Sequence, residues 1–208
     1  MRIGIVKEIY GPITEHRGYF AAGKFDELGR NVPYNAIVKA FRDLMCQLLT
    51  ESEARLSVWR HNFLDALGES AQVLVDVVPE LELIIGSQPA APEIGPNESV
   101  NRFNYLVSHF VRVCCASDHP LVIFLDDFQW ADVGSFKLLQ LIMTDEEIRN
   151  ILVVGAFRDS ECNYFASLLR PPVAVHLCRS RYWPRWKARR GELSLIFFGI
   201  SRSPPSLC

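Results

Sequence analysis

Hydrophobic positions along the chain follow two rhythms. After Pro33 they recur at Ile37, Ala40, Phe41, Leu44 and Leu48, the three- and four-residue spacing of an amphipathic helix. A second helical stretch runs from about Glu51 to Leu67 and stops at Gly68, a residue suited to a C-terminal cap. From Asn97, an N-cap candidate with Glu98 in the first turn, Val100, Phe103, Val107, Phe110, Val111 and Cys114 form one face of a helix of about five turns. Phe136 to Met143 is again helical. The other rhythm is continuous rather than periodic. Leu121 to Leu125 is a wholly apolar run that ends in two carboxylates, and Ile151 to Phe157 is a second that ends in Arg158. Runs this short and this apolar are the pattern of strands buried on both faces, as in a parallel sheet. Arg17 to Phe20, aromatic and β-prone, predicts a further strand that gives way to a loop at Ala-Ala-Gly. Val73 to Val78 is a shorter apolar segment ended by Pro79, and the prolines and glycines between Gly86 and Pro96 predict a surface loop. Strand, helix and strand over residues 121 to 157 imply a parallel crossover, so the main body is α/β.

Composition agrees with a folded chain: 208 residues, 49% hydrophobic and 22% charged. The charge is unevenly placed. Residues 162 to 208 hold eight basic side chains and one acidic one, whereas the rest of the chain is acidic, so a net charge of -2 conceals two different segments. We read residues 1–161 as one α/β unit and 162–208 as a basic tail that is irregular or unrelated to it. No apolar stretch approaches the roughly 18 residues of a membrane helix. Lys7 and Glu8 interrupt the N-terminus before a signal-peptide core could form, so a cytoplasmic protein with no membrane span is expected. The six cysteines show no C-x-x-C pair and are expected to be reduced, Cys114 and Cys115 as buried thiols. The five histidines lie in unrelated contexts, and no Ser/His/Asp nucleophile arrangement is visible.

The sharpest chemical feature is Leu121-Val122-Ile123-Phe124-Leu125-Asp126-Asp127-Phe128-Gln129-Trp130-Ala131-Asp132. An apolar strand that delivers two acids at its C-terminal end places charge where open α/β sheets bind ligands. In a nucleotide site the first acid holds Mg²⁺ and the second orients or deprotonates the attacking water, which is the Walker B arrangement. A bare apolar strand with two aspartates is of moderate specificity, since many strands end in an acidic turn. The extension through Gln129, Trp130 and Asp132 narrows it.

That extension stands beside Arg17-Gly18-Tyr19-Phe20, Gly23-Lys24-Phe25-Asp26, Arg30-Asn31-Val32-Pro33-Tyr34, Gln47 to Glu53, Pro79 to Gly86 and Asn101-Arg102-Phe103. Together they resemble the ATPase modules of the STAND branch of AAA-like P-loop NTPases, as found in multidomain Ser/Thr kinase–histidine kinase signalling proteins, over roughly Ile5 to Glu161. The resemblance implies a P-loop NTPase of the ASCE type, with ATP and Mg²⁺ as cofactors and kinase or sensor domains of a parent protein as partners. It makes Asp126 the Mg²⁺-coordinating acid, Asp127 the water-activating acid and Arg158 the arginine that senses the γ-phosphate. Trp130 and Asp132 belong to the same signature, with capping and bracing of the next helix as their expected role.

A working member needs a glycine-rich G-x-x-x-x-G-K-[ST] loop whose backbone N–H groups and lysine cradle the phosphates. Met1-Arg2-Ile3-Gly4 stands where the family places that loop and its strand, so an N-terminally truncated module with little or no turnover is expected. Gly18 to Phe25 matches the spacing until its last position, but Phe25 offers no hydroxyl to Mg²⁺ and Pro33 follows too soon for a helix. The class has sheet order 5-1-4-3-2, so loss of the first strand would uncover one edge of Ile151 to Phe157. The apolar run Leu193 to Phe198 is a candidate to fill that edge. In the tail, Arg179, Arg181, Arg185, Lys187, Arg189 and Arg190 interleave with Tyr182, Trp183 and Trp186. That composition alone is weak evidence for nucleic-acid binding, and a shifted reading frame or truncated gene is the favoured origin of the tail.

Overall fold

In the computed structural model of the protein the described residues are 18–27, 32–115, 120–148, 150–158 and 193–200, with only the backbone described for 157–158 and 193–200. Residues 1–17, the stretch around Arg30 and the basic aromatic cluster of 179–190 lie outside them.

The two apolar runs are strands, as their composition demands. Tyr19–Lys24 (β1), Leu121–Asp126 (β2) and Ile151–Arg158 (β3) form a parallel sheet, and Leu193–Ile200 (β4) closes it in the order β1-β2-β3-β4. All six residues of β2 are buried, the signature of a central strand covered on both faces. The register sets Lys24 opposite Asp126 and Leu125 opposite Gly155. β4 runs antiparallel to β3, with pairs from Ile151–Ile200 to Arg158–Leu193. The pairing expected for Leu193 to Phe198 is therefore observed and extends to Ile200. Within a tail expected to be irregular, this segment is regular.

Among the described residues six helices accompany the sheet: Asn35–Leu48 (α1), Glu53–Leu67 (α2), the single turns Gln72–Val75 (α3) and Glu82–Ile85 (α4), Pro96–Cys114 (α5) and Val133–Thr144 (α6). Each contributes to one buried cluster with Ile123, Leu125 and Val153 of the sheet. At its centre the Phe110 ring stacks on Phe63 at 5.2 Å and meets Phe41 at 4.9 Å, which ties α5 to α2 and α1. The opposite side chains of the strands, Phe20, Val122, Phe124, Val154 and Ala156, form a smaller cluster. α2 stops at Gly68, whose φ of 55° is a left-handed value that glycine adopts without steric cost.

Two expectations need correction. Ala21 to Lys24 is strand, not loop: pairing with β2 overrides the weak β-propensity of Ala-Ala-Gly. The N-cap of α5 is Gly95, not Asn97, because Pro96 is well suited to the first helical position, while Glu98 Oε2 accepts from the Gly95 N–H at 3.3 Å. The apolar segment Val73 to Val78 overlaps the helical turn Gln72–Val75. Cys114 and Cys115 are buried as expected, and burial pushes the Cys115 thiol up to about 12, so neither is a thiolate at neutral pH. Cys46, by contrast, is exposed. Among the described residues no helix is long and apolar enough to cross a membrane.

Candidate active site at the carboxyl end of the sheet

The apolar run of β2 ends because the chain must turn. Asp126 Oδ1 accepts from the Asp127 N–H at 2.8 Å, and Asp127 adopts the left-handed conformation (φ 51°, ψ 44°) that aspartate tolerates better than bulky or branched residues. One 3₁₀ turn, Phe128–Trp130, follows, closed by the Trp130 N–H on the Asp127 carbonyl at 2.9 Å. The turn is anchored by Phe128, fully buried, edge-on to Phe25 at 5.6 Å. Gly155 on β3 makes room for it: a Cβ there would lie 3.3 Å from the Phe128 ring.

This anchoring presents two buried carboxylates at the carboxyl end of the sheet, Asp126 9% and Asp127 6% exposed. Both oxygens of Asp127 are engaged. Lys24 Nζ, at the end of β1, lies 3.3 Å from Oδ2, and Gln129 Nε2 donates to Oδ1 at 3.2 Å. Gln129 is itself 6% exposed, and its Oε1 has no hydrogen-bond partner. Beside the pair opens a cavity of about 320 Å³ lined by Lys24, Asp26, Glu27, Lys39, Asp127 and Trp130, among others.

Asp132 has a different task. Its Oδ1 accepts from the Ser135 N–H at 2.8 Å and caps α6, while Oδ2 takes the Ser135 hydroxyl at 2.5 Å and the Tyr34 N–H at 3.3 Å. Tyr34, also left-handed (φ 66°), is the N-cap of α1 and packs on Phe103 at 4.9 Å. Burial and the neighbouring Asp132 carboxylate both raise the Tyr34 phenol above its ordinary pKa. The capping role expected for Asp132 is thus observed, and it extends to a second helix.

Arg158 is the last residue of β3 and lies at the same end of the parallel sheet as Asp126, so the topology brings its backbone to the site; its side chain lies outside those described. Sequence reasoning missed Lys24 and Gln129 as partners of Asp127. Gln129 was in view as part of the signature, but Lys24 becomes a neighbour only through the register of β1. The glycine-lysine spacing of Gly18 to Phe25 falls on β1 itself, where a Cβ at Gly23 would meet the Ala36 carbonyl oxygen at 1.9 Å; its glycine serves helix packing rather than a phosphate loop.

The oxygen donors of Asp126 and Asp127 suit a hard divalent cation such as Mg²⁺. Among the described residues no group of three or more His, Cys, Asp or Glu converges to hold a metal, so such an ion would complete its shell from water and phosphate, the usual habit of Mg²⁺. A strand-end carboxylate pair on a parallel sheet with helices packed against it defines a P-loop NTPase-like fold, and the comparisons agree. The profile of the AAA ATPase domain family matches residues 5–154, and the chain belongs to that family. The chain is also similar to the Hybrid signal transduction histidine kinase G of Dictyostelium discoideum, 38% identical over 124 residues. That match takes in 60% of this chain and 4% of the relative, so the chain corresponds to a small part of that protein. No solved structure matches significantly.

Proposed function

We propose that the chain is a STAND-type nucleotide-dependent module of a multidomain signalling kinase, and that its site is a Walker B pair. Asp126 would hold Mg²⁺, which when bound neutralises phosphate charge. Asp127 would orient the attacking water and accept its proton, and Arg158 would read the γ-phosphate. The observation that carries this reading is the pair of buried carboxylates at the carboxyl end of the all-buried strand β2. The matching region of a signal transduction histidine kinase supports the signalling role, with kinase or sensor domains as partners.

By itself the chain is expected to turn over little or no ATP, as a partial module would. No G-x-x-x-x-G-K-[ST] run occurs in the 208 residues, and two carboxylates without a phosphate cradle repel triphosphate. Asp127 is further restrained by the Lys24 ammonium, 3.3 Å from its Oδ2. A fluorescent ATP analogue titrated with Mg²⁺ tests both parts. We expect weak binding, with a dissociation constant on the order of 1 mM, lost in Asp126→Asn. Binding indifferent to Asp126→Asn, or no binding at millimolar nucleotide, would refute the site. Micromolar, Asp126-dependent binding would refute the weak affinity expected of the chain alone.

A further inference from the structure

Gln129 is the one side chain of the turn whose chemistry is left incomplete. It is buried and its amide N–H₂ is committed to Asp127 Oδ1 at 3.2 Å, yet its carbonyl oxygen is sealed from solvent without a donor. Reversing the amide offers no remedy, because it would set Oε1 against the Asp127 carboxylate, acceptor to acceptor. Buried acceptors in folded proteins are nearly always satisfied, by a protein donor or by a held water.

We propose that Gln129 Oε1 and the Asp127 carboxylate together bind a single buried water. The geometry allows it. The two heteroatoms of an amide are about 2.2 Å apart, so Oε1 lies within about 5.4 Å of Asp127 Oδ1. One water about 2.8 Å from each of two acceptors, donating a proton to each with its H–O–H angle at about 105°, spans about 4.4 Å, which lies inside that limit. Both partners are acceptors, so the water donates both protons inward and turns its lone pairs away from them. A water so held is oriented as a nucleophile beside a carboxylate that can take its proton. Gln129 then acts as a positioning residue in two ways, through Nε2 on Asp127 and through Oε1 on the water. Its use as the attacking water rests on the reading of Asp127 given above; the water site itself does not.

The test is a crystal structure of the full chain without nucleotide, at a resolution that shows ordered waters, with a rotating-frame Overhauser measurement between water and the Gln129 side-chain amide in solution. We expect a water within about 3.2 Å of both Oε1 and the Asp127 carboxylate, and a cross-peak of the sign given by a long-lived water. Gln129→Met, which keeps length but has no carbonyl, should lose the water while Lys24 stays on Asp127, and Gln129→Glu, which keeps an acceptor, should retain it. A protein donor on Oε1, a cation at metal-ligand distance from it, an empty site, or a water that persists in Gln129→Met would each overturn the proposal. The two readings fail separately. A water without Asp126-dependent nucleotide binding leaves the site standing and removes its role in hydrolysis, whereas Asp126-dependent binding without the water removes only the role of Gln129.

Discussion

The two flanks of the parallel sheet are finished by opposite means. At the β1 edge the outward backbone groups are met by side chains of α1: the Ala22 N–H donates to Asp43 Oδ2 at 3.1 Å, and Gln47 Nε2 donates to the Phe20 carbonyl at 2.6 Å. The two periodicities match. Residues four apart on a helix are separated by about 6 Å along its axis, and residues two apart on a strand by about 6.6 Å, so one helix turn can serve alternate groups of the strand. At the β3 edge the same need is met by a whole strand brought from residues 193–200, well beyond β3 in sequence. One edge is closed by neighbours in sequence and the other by a segment recruited from far along the chain. An unpaired strand edge is a template for association, so both solutions have the same purpose but differ in how much each stabilises.

The largest expected effect comes from the recruited strand. Deletion of residues 190–208 removes the β4 ladder, and at about 1 kcal/mol net per ladder bond the cost is on the order of 5 kcal/mol. Urea denaturation and light scattering should show a lower midpoint and self-association; unchanged solubility and stability would mean that the β3 edge does not need β4. Next is Gly23→Ala. The added Cβ meets the rigid carbonyl of Ala36, so α1 must move off β1, at a cost of about 2–3 kcal/mol in thermal or chemical denaturation. A neutral result would show that the β1 flank is looser than its contacts suggest. Gln47→Ala removes a single edge-capping bond and should cost about 1 kcal/mol, well below the loss of β4. If the two losses were equal, the contrast between the flanks would collapse.

The smallest effect is a pH dependence confined to the β1 flank. Tyr19 donates to Glu51 Oε1 at 2.7 Å, and burial, followed by that carboxylate, raises its phenol above the ordinary value. Below about pH 10 the tyrosine is neutral whether folded or not, and its contribution is fully present. As pH rises past that value the unfolded chain ionises first, so stability falls through the window between the unfolded and folded pKa. Tyr19→Phe should flatten the alkaline limb of the stability curve and leave the neutral region nearly level; a slope that persists would place the cause elsewhere.

The sequence makes the closed side of this comparison easier to read than the recruited one. Ile37, Ala40, Phe41, Leu44 and Leu48 carry a 3.6-residue period, and all five are buried, because an amphipathic helix writes its buried face locally. The buried strands β2 and β3 were legible for a related reason: few other elements tolerate five or more consecutive apolar residues of that length. Ala21 to Lys24 was not legible, since what makes it a strand is β2, a hundred residues away. The site divides the same way. Asp126 and Asp127 stand out because charge follows abruptly on an apolar run, whereas Lys24 reaches Asp127 only through register. Gln129 reveals its importance through an unmet hydrogen bond that no sequence pattern records.

Asp132 is a mechanical joint between two helices. Its carboxylate accepts from the first turn of α6 and from the backbone of the N-cap of α1, so the positive ends of two helices converge on one negative charge. The turn from Asp127 to Ala131 is therefore riveted at its far end to two separate rods. A displacement of Asp127 that carried this turn with it would pull on α1 as well as α6, and α1 in turn holds the β1 edge. The signature that ends in Asp132 thus joins the turn after the carboxylate pair to both helices, as one rivet joins two plates.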